Sequence, residues 1–174
     1  RIFAWVHRPA AGERDVSAPG GLGREIRSRL AGRAHVSRLV PAAVARSRDG
    51  TVKCAFRLED GAVIESVLIP AEGRTTLCVS TQAGCAMGCR FCLTGRMGLV
   101  RDLTAAEIVG QVSAAGELLA AASPGRAGHR QPLDNLVFMG MGEPLANYGS
   151  LVAALAILQD EAGPGFSERR VTVS

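Results

Sequence analysis

The chain has 174 residues, enough for one medium-sized domain or for a small domain with part of another. Its net charge of +4 argues only weakly for a nucleic-acid partner, because a GC-rich genome would produce the same excess of arginine over the single lysine, Lys53. There is no 18-residue apolar run and no signal peptide, and five cysteines with three tightly clustered do not form a secreted disulfide framework, so we expect no membrane segment and a reducing, cytoplasmic location.

Residues 1–45 are predicted to form a small helical, basic domain. Apolar residues recur at helical spacing in "RIFAWVHR" and again in "GLGREIRSRLAG", with a loop rich in proline and glycine between them. The arginines of this domain either bind RNA phosphates or form a solvated helix face; they are Arg8, Arg14, Arg24, Arg27, Arg29 and Arg33. Residues 46–70 then predict a β-hairpin extension, because "TVKCAFRL" and "AVIESVLIP" flank a turn at Asp60-Gly61.

Residues 71–174 alternate between predicted strands and helices. The apolar segments "TLCVS" (76–80), "NLVFMG" (135–140) and "RRVTVS" (169–174) are typical of strands. Thr104 and Glu107 form a capping-box signature before the first helix, and Ser150 is predicted to cap the second. The inward positions of the second helix are predicted to be Leu151, Val152, Leu155 and Leu158. This alternation predicts an α/β fold with a parallel sheet and right-handed crossovers.

The segment "GCAMGCRFCLTG" (84–95) directly follows the first of these strands and contains Cys85, Cys89 and Cys92. Three interpretations are open for this C-x3-C-x2-C loop: unrelated buried cysteines, a zinc site with a fourth ligand such as His129, or a [4Fe–4S] cluster held by three thiolates. Such a cluster leaves one iron open, which the amino and carboxylate groups of S-adenosylmethionine fill in radical chemistry. The spacing and the position after a strand favour the cluster.

Three neighbours of the cysteines fit this interpretation. Gly84 and Gly88 would let the backbone wrap closely around a cluster, and Phe91 would shield it from water. The predicted sheet therefore carries its candidate chemistry in the loop after its first strand.

The segment "GMGEP" (140–144) follows the second strand and would lie at the same edge, since chemistry in a parallel β/α barrel collects at the carboxyl ends of the strands. Gly140 and Gly142 would admit a ligand against bare backbone, and Glu143 with nearby carbonyls could accept hydrogen bonds from a cationic amino group. Alone, the segment is equally typical of a turn before a helix. Ser174, at the end of the third strand, would face the same edge as a hydroxyl donor.

These stretches together resemble one family. "TLCVSTQAGCAMGCRFCLTGRMGLVRDLTAAEIVGQV", "NLVFMGMGEPLANYGSL" and "RRVTVS" are similar to the RlmN/Cfr radical S-adenosylmethionine adenosine methyltransferases, and "FAWVHR" and "LEDGAVIESVLIP" fit the same family. The resemblance implies that residues 71–174 form the first three strands of a radical S-adenosylmethionine (β/α) barrel, preceded by the helical domain and the hairpin extension.

The resemblance also implies a reaction. These enzymes methylate carbon 2 or carbon 8 of an adenosine in 23S rRNA, and some also methylate adenosine 37 of tRNAs. A methyl group passes from one S-adenosylmethionine molecule to a cysteine thiolate. A second S-adenosylmethionine molecule gives a deoxyadenosyl radical, which removes a hydrogen atom from that methyl group. The resulting carbon radical adds to the adenine ring, a base removes the ring proton, and a disulfide releases the product.

Site residues are carried over from the family position by position. Cys85, Cys89 and Cys92 match the cluster ligands, whereas Gly142, Glu143 and Ser174 match contacts to S-adenosylmethionine. Glu65 matches the proposed proton acceptor, although by itself it would be an exposed strand glutamate. Cys78 matches the cysteine of proton removal and adduct release, although by itself it would be a core cysteine. Cys54 matches no functional position and is expected to be packing.

The resemblance further implies 23S rRNA and tRNA as partners, a flavodoxin-like one-electron reductant and a monomer. Because the chain starts at Arg1 and ends in a strand-like segment, we expect a fragment that lacks the methyl-carrying cysteine and is inactive alone. Carbon 2 is favoured over carbon 8 only because the housekeeping branch of the family, which methylates carbon 2, is the commoner one. Two other classes stay open: a different radical S-adenosylmethionine enzyme, and a non-catalytic metal-binding RNA-binding module.

Overall fold

The computed structural model describes residues 2–7, 23–31, 33, 36–122 and 133–174, and these form a mixed α/β structure. The helices are α1 (Ile2–His7), α2 (Arg24–Leu30), α3 (Leu93–Met97), α4 (Ala105–Ala122) and α5 (Tyr148–Gln159). The strands are β1 (Pro41–Arg46), β2 (Val52–Arg57), β3 (Val63–Ala71), β4 (Arg74–Cys78), β5 (Gln82–Gly84), β6 (Leu99–Asp102), β7 (Asn135–Phe138) and β8 (Val171–Val173). Short 3-10 helices at Pro144–Asn147 and Glu168–Arg170 precede α5 and β8.

Six of the strands in these ranges form one mixed sheet, in the order β1-β2-β3-β4-β7-β8. β1 to β4 pair antiparallel, whereas β4, β7 and β8 pair parallel. The predicted hairpin and the three predicted parallel strands are therefore confirmed, with Gly61 at φ +86° in the hairpin turn. The α/β class is confirmed, while barrel closure and the divisions at residues 45 and 70 stay predictions. β5 and β6 form a small separate sheet that the sequence did not predict.

The structure differs from the prediction at residues 41–46, where the helical segment was expected to continue. They form β1, at the edge of the sheet. Pro41 suits the first position of an edge strand because it has no N–H to offer a ladder. The alanines that follow favour a helix intrinsically, but pairing with β2 overrides that preference. Arg8, Arg14, the loop predicted between the two helical segments and residues 123–132 lie outside the described residues.

The start of α5 also differs from the prediction. Ser150 lies inside the helix, because the 3-10 turn at Pro144–Asn147 continues directly into α5. That turn is capped by Glu143, whose Oε1 accepts a hydrogen bond from the Leu145 N–H at 3.3 Å. Val152 is 45% exposed, so its predicted inward position is wrong. The buried positions of α5 are Leu151, Ala154 and Leu158.

The core lies between one face of the sheet and helices α4 and α5. The sheet contributes its alternate residues to this core, and α4 contributes a stripe through Ile108, Val112 and Ala115. Fully buried side chains of the sheet are Phe56, Ile64, Leu77, Leu136 and Phe138. The opposite face of the same strands carries both polar and apolar residues, among them Lys53, Glu65, Val67 and Cys78. No helix within the described ranges combines the length and the hydrophobicity that crossing a bilayer would require.

Arg101, in β6, joins the hairpin turn to the start of α4. Its Nε donates to Asp60 Oδ2 at 2.5 Å, and its two Nη atoms donate to Glu107 at 2.9 and 2.7 Å. Glu107 also accepts from the Thr104 N–H at 2.8 Å, and Thr104 Oγ1 accepts from the Glu107 N–H at 3.2 Å. The predicted capping box is therefore present, and Arg101 extends it to a neighbouring hairpin.

The two carboxylates that Arg101 contacts both have lowered pKa values. The Arg101 hydrogen bond, followed by the Ala62 N–H, lowers the pKa of Asp60. Burial raises the pKa of Glu107, but hydrogen bonds from Arg101 and Thr104 outweigh it and the net pKa is lower. A carboxylate whose folded pKa is lowered stabilises the fold above its unfolded pKa, and this stabilisation is lost as the pH falls through the folded pKa.

We expect Arg101→Met to lower the free energy of unfolding at pH 7 by about 1–2 kcal/mol, because it removes charge-assisted hydrogen bonds that are partly exposed. The difference from the parent should begin to shrink as the pH falls below about 4, the ordinary carboxylate pKa, and should be lost as the pH falls through the lower pKa values of the folded state. Urea unfolding at neutral and acidic pH measures both quantities. Arg48→Met, at an exposed turn position, is the control and should change neither. A difference that does not vary with pH would contradict the assignment.

Candidate functional site

The carboxyl ends of β4, β7 and β8 lie at one edge of the sheet, because these strands are parallel neighbours. β4 continues through residues 79–84 into the cysteine loop, β7 continues into the GMGEP segment, and β8 ends beside Ser174. The Thr81 and Gln82 N–H groups both donate to the Met141 carbonyl, at 2.9 and 3.1 Å. The structure therefore brings the two predicted cofactor segments to the same edge and joins them directly.

The cysteine loop lies between β5 and α3. Cys85 is buried, Cys92 is half-buried and Cys89 is exposed, and all three are free thiols. The backbone turns sharply at Gly84 and Gly88, which have φ values of +77° and +62°. A Cβ on Gly84 would lie 1.9 Å from the Gly98 carbonyl oxygen, so glycine is needed at this position to let the loop close on itself.

The donor set of this loop fits an iron–sulfur cluster. In the part of the chain that the structure describes, no three Cys, His, Asp or Glu side chains converge where one metal ion could bind. A [4Fe–4S] cubane, however, takes each thiolate on a different iron, so its ligands need to surround a cube rather than meet at a point. Three free thiols within eight residues of one glycine-turned loop are the donors that such a cluster takes, and Cys89 among them is exposed. His129, the suggested fourth zinc ligand, lies outside the described residues.

Phe91 does not lie over the loop as expected. Its side chain is 94% exposed, so in this structure it shields nothing from water. The apolar residues around the loop are also exposed; they are Met87, Leu93, Met97, Leu99 and Val100.

The glycines of the GMGEP segment lie against another part of the chain. A Cβ on Gly140 would lie 2.6 Å from Ser80 Oγ, and a Cβ on Gly142 would lie 2.4 Å from Gln82 Cβ. Gly142 also has a φ of +92°. What these glycines admit is therefore the chain's own β4–β5 connection, which packs against their backbone.

We expect Gly142→Ala to cost about 2–4 kcal/mol of folding free energy, because it combines a clash with an unfavourable backbone conformation. Gly149→Ala, in α5, is the matched control. No atom lies within 4 Å of a Cβ placed there, so alanine should stabilise that helix by about 0.5–1 kcal/mol. Thermal unfolding of the two variants should therefore shift in opposite directions, and shifts in the same direction would contradict the packing described.

The other predicted cofactor contacts lie at the same edge. Glu143 is half-buried, and its N–H donates to Gln82 Oε1 at 2.9 Å. Ser174 is exposed and directly follows Val173, which pairs with Phe138 at the end of β7. Gly142, Glu143 and Ser174 therefore follow adjacent parallel strands, as the sequence predicts.

Glu65 and Cys78 lie on the sheet face that is turned away from α4 and α5. Cys78 pairs with Val67, two residues from Glu65 on the neighbouring strand, so Glu65 and Cys78 are diagonal neighbours at about 7–8 Å. Lys53 Nζ lies 2.9 Å from Glu65 Oε1. Burial raises the pKa of the Cys78 thiol, and a hydrogen bond from the Met139 backbone opposes this in part. Cys54, in contrast, is buried in the core, as expected.

Sequence reasoning did not find the polar residues that join these segments. Ser80 Oγ donates to the Glu65 carbonyl at 2.5 Å and accepts from the Met141 N–H at 2.8 Å. Gln111, on α4, accepts from the Ser80 N–H and donates to the Ser80 carbonyl, both at 2.9 Å. The sequence feature that could have indicated them is the polar run "STQ" (80–82) between an apolar strand and the cysteine loop. Polar residues in a buried segment need hydrogen-bond partners.

The amino-terminal arginines that the structure describes lie on α2 and just after it. Arg24 and Arg29 are exposed on α2, and Arg33 is exposed just beyond it. Arg29 and Arg33 line a cavity of about 350 Å³ together with apolar residues of α1 and α2. Both expectations, an RNA contact or a solvated face, are compatible with this arrangement.

Across its whole length the chain is similar to proteins of known name. It is 49% identical to "Dual-specificity RNA methyltransferase RlmN 2" from Myxococcus xanthus, of which it covers 45%. It is also 49% identical to "Dual-specificity RNA methyltransferase RlmN" from Anaeromyxobacter dehalogenans, of which it covers 46%. The chain thus spans about half the length of the curated relatives it matches. No protein-family model matches it.

A solved structure gives the same result. The crystal structure of a radical SAM methyltransferase from Sphaerobacter thermophilus matches 99% of this chain with a TM-score of 0.82 and 45% sequence identity, and the match covers 48% of that protein. The predicted resemblance to the RlmN/Cfr family is confirmed by the names of these relatives.

Proposed function

We propose that the protein carrying this chain is a radical S-adenosylmethionine methyltransferase that methylates carbon 2 of an adenosine in 23S rRNA and adenosine 37 of some tRNAs. Its whole-length similarity to proteins named for RNA methylation supports the substrate class. One observation in the structure carries the proposal: the cysteine loop, the GMGEP segment, Glu65 and Cys78 meet at one edge of the sheet.

Cys85, Cys89 and Cys92 are the residues that would hold a [4Fe–4S] cluster. A bound cluster supplies the electron that cleaves S-adenosylmethionine. Glu143 and the carbonyls beside it would accept hydrogen bonds from the amino group of that molecule, and the Ser174 hydroxyl would donate to it. Closure of the β4-β7-β8 sheet into a radical S-adenosylmethionine barrel would enclose these groups and exclude water.

Glu65 is proposed to accept the proton that leaves the adenine ring. Its ion pair with Lys53 keeps the carboxylate at a fixed place on the sheet face. The Glu65 side chain is 41% exposed, so an adenine ring can reach it. A contact this exposed adds little to stability, so its effect is on orientation. Cys78 lies beside Glu65 and stays a thiol near neutral pH, because burial raises its pKa. It is proposed to form a disulfide with the methyl-carrying cysteine of the full-length protein as the carbon–sulfur bond between that cysteine and the product breaks.

The proposal is tested by the nucleosides that the enzyme produces. The full-length protein that carries this chain is expressed in a bacterium without its own adenosine-C2 methyltransferase, and rRNA and tRNA are digested for mass spectrometry. We expect 2-methyladenosine with the parent protein and none with a Cys89→Ser variant. 8-Methyladenosine would replace the carbon 2 assignment, and unmodified adenosine in both RNAs would contradict the proposed function.

A further inference from the structure

Gln82 is a buried residue that connects the GMGEP segment to β6. It is 2% exposed; its Oε1 accepts from the Glu143 N–H at 2.9 Å, and its Nε2 donates to Asp102 Oδ1 at 2.7 Å. Asp102 lies directly opposite Gln82 in the β5–β6 pair. The side chain therefore uses both ends of its amide, one on each neighbouring segment.

The orientation of this amide is determined by its partners. An ionised carboxylate can only accept hydrogen bonds, so Asp102 requires the NH₂ end of Gln82, and the carbonyl end is left for the Glu143 N–H. Gln82 Cβ also packs against the bare backbone of Gly142, where a Cβ would come within 2.4 Å of it. These contacts hold Gln82 in one place relative to the GMGEP segment.

The Glu143 N–H and the Gly142 carbonyl belong to the same planar trans peptide group and point in opposite directions. Fixing the N–H on the buried Gln82 therefore directs the Gly142 carbonyl away from the interior. Gly142 and Glu143 are half-buried whereas Gln82 is buried, which leaves the side of the peptide opposite Gln82 as the more open one. A carbonyl aimed in this way is suited to accept a hydrogen bond from a cationic amino group.

We propose that Gln82 is a positioning residue that orients the Gly142–Glu143 peptide for the amino group of S-adenosylmethionine. This inference rests on the proposed function, since it assigns Gln82 to the cofactor site proposed there. It predicts that Gln82 affects cofactor affinity through the orientation of one peptide group, beyond any effect on overall stability.

The test exchanges the amide and the carboxylate between positions 82 and 102. In Gln82→Glu the new carboxylate faces Asp102 and the two repel, so the contact to the Glu143 N–H is disturbed. In the double variant Gln82→Glu/Asp102→Asn the asparagine donates to one glutamate oxygen, which reverses that hydrogen bond, while the other glutamate oxygen accepts from the Glu143 N–H as Gln82 Oε1 does. Gln82→Met is a neutral variant of similar size that leaves the Glu143 N–H unpaired, and it serves if Gln82→Glu does not fold.

Two measurements are made on the full-length protein. Amide hydrogen exchange without cofactor should show faster exchange at Glu143 in Gln82→Glu and Gln82→Met, and parent-like exchange in the double variant. Calorimetric titration of the cluster-loaded protein with S-adenosylmethionine should show a dissociation constant raised about tenfold in the single variants and restored in the double variant. Ile108→Val, on the buried face of α4, is the stability control and should change neither the exchange at Glu143 nor the dissociation constant.

Unchanged affinity in the single variants would overturn the inference while leaving the proposed function intact. The same holds if affinity falls only in step with thermal stability, as it would for a purely structural residue. A parent protein that does not bind S-adenosylmethionine would overturn the proposed function, and the role of Gln82 with it.

Discussion

A Cys89→Ser variant is expected to lose nearly all bound iron after anaerobic reconstitution, and methylation by the full-length protein should fall to background. Cys89 is the most exposed of the three loop thiols, so its replacement removes a ligand without opening a cavity in the core. A serine hydroxyl stays protonated at neutral pH and cannot replace a thiolate as a ligand to iron. Iron analysis and visible absorbance measure the first effect, and nucleoside mass spectrometry measures the second.

Cys54→Ala is the matched control, because it also removes one cysteine. Cys54 lies in the core at 1% exposure, on β2. Its replacement should lower stability through the lost packing, yet leave iron content per folded protein at the parent value. Equal iron in Cys89→Ser and the parent would contradict the assignment of the loop as the cluster site.

Glu65→Gln is expected to lower the methylation rate by about 10²–10⁴-fold, the range typical of losing a general base. Glutamine has nearly the same shape but cannot take up the ring proton. The variant should keep its cluster and its affinity for S-adenosylmethionine, because Glu65 contacts neither of the proposed cofactor segments through its carboxylate. Single-turnover methylation of an rRNA fragment measures the chemical step apart from product release.

Glu72→Gln provides the control for Glu65→Gln. Glu72 is an exposed residue in the turn between β3 and β4, at the opposite edge of the sheet from the carboxyl ends of the parallel strands. The same substitution there should leave the rate unchanged. If both variants react at the parent rate, Glu65 is not the proton acceptor.

Periodicity in the sequence predicted the elements that carry this site. "TLCVS" and "NLVFMG" are short apolar runs bounded by glycine or polar residues, and the structure pairs them in parallel as β4 and β7. Asp60-Gly61 marked a turn because glycine tolerates the left-handed conformation that the structure shows there. Local patterns of this kind depend on a few neighbouring residues, so the sequence alone contains them.

The failures share a different origin, because each depends on contacts distant in sequence. The alanines of β1 favour a helix locally and become a strand only beside β2. The packing of Gln82 against Gly142, 60 residues away in sequence, was not predicted. Ser80 and Gln111 could not be assigned to the site, since their hydrogen bonds link β3, α4 and the segments that follow β4 and β7.

The central claim is that three thiolates of the cysteine loop hold a cluster whose open iron binds S-adenosylmethionine. The most direct measurement is the electron paramagnetic resonance spectrum of the anaerobically reduced full-length protein, before and after S-adenosylmethionine is added. We predict a [4Fe–4S] signal that changes on addition. A colourless protein that contains zinc in place of iron, or a cluster signal that stays the same, would contradict the account.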